Sequence, residues 1–141
     1  MNWIAFAILA ASSFGFYNLF TKISADKMSP TIALMFIAGT SFTVAVVSTL
    51  ILKFTGHNLT ITKSALVFPI LAGLSTGIAE IFYLIMFTKN SPVSIGTPFV
   101  LSATLLITTF LGIIILREGI TAAKIAGIMI TVVGLIILAR S

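Results

Sequence analysis

An all-α polytopic membrane protein is what this sequence predicts, on three observations. Of its 141 residues, 59% are hydrophobic and only 8% charged, whereas soluble domains run nearer half apolar and a quarter charged. Mean hydropathy is +1.24. The charged residues fall at intervals that leave apolar stretches of about 20 residues, the length that crosses a bilayer core. Eight Lys or Arg against three Asp or Glu give a formal net charge of +5. The bases stand singly, as membrane-surface anchors do, and form no nucleic-acid patch. With no cysteine, disulfide frameworks, thiol catalysis and Cys-based metal sites are excluded together.

Five transmembrane helices are expected in a single domain of residues 1–141, with spans at about 3–21, 30–52, 65–87, 92–116 and 121–139. The first ends at a polar connector, Lys22 to Ser29, that contains Asp26 and Lys27. It is expected to be retained, because no Lys or Arg precedes Trp3 and the apolar run is long for a signal-peptide core. The second begins at Pro30, whose missing N–H suits the first helical turn, and Lys53 stops it. Lys53 to Ser64 is the one long polar loop. The third span leads through the turn Lys89-Asn90-Ser91-Pro92 into the fourth, which Arg117-Glu118-Gly119 closes, and Arg140-Ser141 lie just beyond the fifth. Short connectors make sequential helices antiparallel neighbours in one bundle.

Five spans put the termini on opposite sides, so the charges sort into two sets. The N-terminal side receives Lys53, Lys63, Arg117 and Lys124, and the other Lys22, Lys27, Lys89 and Arg140. Four against four is no positive-inside bias, as expected of a chain that inserts both ways. The alternative is that Lys124, in the first turn of the last helix, does not count toward its side, or that one strong charge decides.

Glu80 is the only charged side chain deep inside a span, Lys124 lying in the first turn of the last one. It lies about 5 Å from the bilayer centre at the helical rise, where a carboxylate costs several kcal/mol unless it is paired, protonated or turned to a polar interior. Gly73, Thr76, Gly77, Glu80 and Tyr83 follow three- and four-residue steps and form one small or polar stripe, with Ile78, Ile81, Leu84 and Ile85 left for lipid or apolar packing. Burial favours the protonated form of any carboxyl, so protons and a cation would compete at this position. The structural alternative is a carboxyl hydrogen-bonded to a neighbouring helix.

Tyr17 and Asn18 on the first helix and Tyr83 on the third are the other candidates for a substrate and proton site with Thr76, Gly77 and Thr108. Aromatic faces hold organic cations, and a buried amide needs a partner. Gly39, Thr40 and Thr43 on the second helix and Thr97, Thr104 and Gly112 on the fourth are further polar or small positions that could line the same cavity, the alternative being that Ser and Thr serve as routine glue between membrane helices. Gly96-Thr97-Pro98 loosens the start of the fourth helix, and Gly96 and Pro98 are candidate gate positions. Gly73, Gly127 and Gly134 are candidate helix-packing positions, Gly127 standing in the small-residue line Ala123, Gly127, Thr131. Glu118 is expected to cap or anchor beside Arg117. One histidine, His57, in a loop, no cysteine and no second intramembrane acid argue against an enzyme, a bound metal or a cofactor.

From Pro69 onward, and more weakly from Ser12-Ser13-Phe14-Gly15-Phe16 and Ser29-Pro30, the chain resembles the EamA-like domain of the drug/metabolite transporter superfamily. Leu116-Arg117-Glu118-Gly119-Ile120-Thr121 looks like the family's signature, and Gly127 and Gly134 fall where its last helix repeats glycine. The resemblance implies one five-helix unit, half of a ten-helix inverted-repeat transporter that moves small metabolites or drugs by alternating access. A single unit rebuilds that arrangement by pairing with an oppositely inserted copy, which gives the balanced charges a reason. Met35-Phe36-Ile37 stand where the family often has Arg, and Ser102-Ala103-Thr104 where it often has Glu-Pro, so no substrate carries over.

The expected function is therefore a small secondary transporter in the cell (inner or plasma) membrane, exporting an organic cation or small metabolite in exchange for protons as an antiparallel homodimer. Its expected partners are the lipid bilayer, a small-molecule substrate and protons. The alternatives are an uncoupled channel- or flippase-like oligomer and an accessory subunit that needs a paralogous partner.

Overall fold

Inside a bilayer no water is present to satisfy backbone N–H and C=O groups, so an apolar run closes its hydrogen bonds within itself and becomes a helix. The computed structural model describes residues 3–140, so Ser141 lies outside the described residues. Among them are five α-helices: α1 (Trp3–Ala25), α2 (Pro30–Phe54), α3 (Val67–Thr88), α4 (Val93–Ile114) and α5 (Ala122–Ala139), with a 3₁₀ turn at Lys63–Ala65. Four helices, α1 to α4, are long and apolar enough to cross a membrane among the described residues. The fifth expected span is a shorter apolar helix. The turn after α4 and the cap at Thr121 leave α5 with 18 residues, about 27 Å at the helical rise.

Each helix end has a local cause. Pro30 occupies the first turn of α2. At the other end of α2, Gly56 takes φ 78°, and its N–H and that of His57 return to the carbonyls of Lys53 and Leu52 at 3.2 and 3.1 Å. This is a Schellman stop, for which glycine's freedom at positive φ is required. Asn90, with φ 64°, ends α3 in the same left-handed region, which Asn tolerates. Thr121 caps α5 by accepting the Lys124 N–H at 3.2 Å. The first helix runs past the expected stop at Lys22 to Ala25, because the Lys22 ammonium finds Asp26 one turn on, at 2.6 Å.

The helices group into two compact units, residues 1–89 and 90–141. In the first, α1, α2 and α3 pack pairwise against one another, and in the second α4 packs on α5. Full burial is scarce: among the described residues the buried hydrophobic side chains are Ala25, Ala33, Leu84 and Phe87, while Phe54 is 87% and Trp3 75% exposed. Lipid chains solvate such side chains as well as a core would, so helix association depends on close packing and polar links.

Candidate functional site

A cleft of about 480 Å³ opens within the first unit. Phe14 and Tyr17 line it from α1, Leu34, Ile37, Ala38 and Ser41 from α2, and Gly73, Thr76, Gly77 and Glu80 from α3. The three- and four-residue steps of Gly73, Thr76, Gly77 and Glu80 stack them on one wall. An added Cβ at Gly73 or Gly77 would meet nothing within 4 Å, so these glycines leave open space beside the carboxyl. The Thr76 hydroxyl donates back to the Ala72 carbonyl at 2.8 Å, so it is satisfied within its own helix.

Glu80 is half-buried and accepts a hydrogen bond from the Tyr17 hydroxyl through Oε2. A phenol donor to a carboxylate is a charge-assisted bond, and it supplies part of the compensation that a charge at this depth needs. The Phe14 ring meets the Tyr17 ring edge-on with centroids 6.3 Å apart, giving the cleft two aromatic faces near one acid. Such a site suits a cation with an organic body: the acid attracts the charge, and the rings and aliphatic side chains cover the rest.

Behind this wall the α1–α3 seam carries further polar contacts. The Tyr83 hydroxyl donates to Asn18 Oδ1 at 2.9 Å, and its ring packs on Phe87 with centroids 4.7 Å apart. Tyr83 and Asn18 thus bond to each other and are not among the residues that line the cleft. Among the described residues no buried side-chain polar atom is left without a partner.

Thr108 belongs to the second unit. It lines a separate cleft of about 400 Å³ with Gly112, Glu118 and Lys124, among others. Here Glu118 differs from its expected place beside Arg117, since its carboxylate pairs with Lys124 at 3.0 Å. Arg117 takes φ 54° and turns the chain back, so that the Glu118 N–H reaches the Gly112 carbonyl at 3.2 Å. The Glu118 carboxyl then lies over Gly112, where an added Cβ would meet it at 3.4 Å. Gly96 is buried, and Pro98 stands inside α4, which runs unbroken from Val93 to Ile114. Around Gly127 and Gly134 an added Cβ would meet nothing within 4 Å.

Sequence reasoning missed Phe14 and the four lining residues of α2. Phe14 lies one helical turn before the candidate Tyr17, so its signal was a shared face, whereas Leu34, Ile37, Ala38 and Ser41 share a face only with one another and offered none.

The family model of the EamA-like transporter family matches residues 1–140. The chain belongs to the EamA-like transporter family. It is thus a transporter of the drug/metabolite type, a non-enzymatic kind, and an integral membrane protein. No curated protein and no solved structure gives a significant match.

Proposed function

We propose that this EamA-like protein exports an organic cation or small metabolite in exchange for protons, by alternating access in an antiparallel dimer, with Glu80 as the group that proton and substrate occupy in turn. The observation that carries this reading is the Tyr17–Glu80 hydrogen bond on the wall of a largely apolar, aromatic-edged cleft. A carboxylate with one phenol donor in such surroundings is under-compensated. A proton or a cationic substrate each supplies the missing charge, and both cannot do so at once. Competition at one acid turns a proton gradient into outward movement of substrate. The balanced charges, four on each side of the expected spans, support oppositely inserted copies.

The test is transport by purified protein in liposomes, with tetraphenylphosphonium and a panel of small organic cations as probes under an imposed pH gradient. The wild type accumulates a probe in proportion to the gradient, and Glu80→Gln abolishes accumulation. Flux that ignores the gradient favours the uncoupled oligomer; inactivity of the homogeneous protein across the panel favours the accessory subunit. Dimer orientation has its own arm. Thr60→Lys and Met28→Lys add charge on opposite sides, so each alone loses transport and the two co-expressed regain it. Full activity of either variant in a single orientation overturns the antiparallel arrangement.

A further inference from the structure

Lysines at the end of a membrane helix ordinarily extend their ammonium outward to water. Lys22 does the opposite. Its side chain is only 19% exposed, and its ammonium turns inward to donate to the Phe87 carbonyl in the last turn of α3 at 3.3 Å. It also holds Asp26 at 2.6 Å and sits 5.8 Å from the centre of the Phe87 ring. A cation on α1 thereby serves the C-terminal end of a different helix, where carbonyls lack intrahelical partners and the helix dipole is negative.

This contact is the third rung of a ladder. Tyr17 to Glu80, Asn18 to Tyr83 and Lys22 to Phe87 join α1 to α3 at sequence separations of 63, 65 and 65. A near-constant separation means that the two helices run parallel in one axial register. α2, the third helix of this unit, contributes no rung: the hydroxyls of Thr40, Thr43 and Thr49 bond to carbonyls of their own helix, and its charged residue, Lys53, lies in its last turn. The register that brings Tyr17 onto Glu80 is therefore held from the α1 side, and its outermost tie ends at Asp26, half exposed at 50%.

We propose that Lys22 is a positioning residue for Glu80. By tying the end of α3 to α1 through the Phe87 carbonyl, with Asp26 holding its ammonium in place, it keeps the Tyr17 hydroxyl on the Glu80 carboxyl, and loosening that tie frees the carboxyl from Tyr17. The inference rests on the reading of Glu80 as the shared proton and substrate site, and it adds a control point about 7.5 Å along α1 from Tyr17 at the helical rise.

The experiment reads the carboxyl directly. Full-length protein in liposomes is treated at fixed pH with dicyclohexylcarbodiimide, which enters the bilayer and adds to carboxyl groups, and labelling of Glu80 is followed by mass spectrometry. Tyr17→Phe should label about tenfold faster than wild type, the effect of removing one charge-assisted hydrogen bond. Lys22→Gln should label several-fold faster and Lys22→Arg near the wild-type rate. Adding Lys22→Gln to Tyr17→Phe should change nothing further, because both act through the same bond. A wild-type rate in Lys22→Gln, or effects that multiply in the double variant, overturns the proposal. Should Lys22→Gln fail to fold, Asp26→Asn gives the same comparison: faster labelling in the Tyr17 background and none beyond that of Tyr17→Phe alone. Because labelling requires no transport, a failure of proton coupling leaves this pattern intact and is distinguished from a failure of the Lys22 tie.

Discussion

Residues 1–89 and 90–141 answer the same problem, holding helices together in a solvent as apolar as their own side chains, in different ways. The first unit spends side chains across helices at membrane depth: Tyr17 on Glu80, and Tyr83 on Asn18. The second keeps its charged contacts at the end of the hairpin, where Lys124 meets Glu118 and the Gly119 carbonyl. Farther along α5, Thr131 bonds to the Gly127 carbonyl of its own helix. Polar links at a helix end assist a fold at little cost, since water is near. Links at mid-membrane require desolvated groups and are retained where chemistry needs them. The contrast supports the proposed placing of the proton and substrate site in the first unit.

Substitutions can break or sharpen this contrast. Tyr17→Phe keeps the ring and removes the donor to Glu80, and should lower the initial rate of gradient-driven transport about tenfold, as expected for one charge-assisted hydrogen bond. Thr131→Val, its counterpart in the second unit, should leave that rate unchanged. Equal losses would erase the distinction. Next in size is Asn90→Val, which places a β-branched residue at φ 64°. It should destabilise the protein by about 1–2 kcal/mol, seen as a lower midpoint of thermal unfolding in micelles, while Asn90→Gly should not. Smallest is Glu118→Gln. Its pair with Lys124 is 43% and 52% exposed, so stability should fall by less than about 1 kcal/mol and transport should be unaltered; a large transport defect would move the second unit into the mechanism.

The helical character of the chain and the stripe around Glu80 were readable from spacing alone, because a 3.6-residue repeat fixes which side chains share a face. Pro30 was readable for a similar reason, its chemistry being local. What could not be read depended on partners distant in sequence. Lys22 reads as a stop, yet α1 continues through it, since the ammonium that should end the apolar run is paired with Asp26 and donates to a carbonyl 65 residues away. Glu118 reads as the partner of adjacent Arg117, but the left-handed turn at Arg117 swings it over Gly112 to Lys124. Tyr83 and Asn18 read as separate candidates because no local rule joins residues on two helices.

The scarcity of fully buried side chains has a practical corollary. A molecule that is greasier outside than inside keeps its shape through the fluid around it, so the annular lipids function as its outer layer. Purification conditions for this protein should be chosen by whether that outer layer survives.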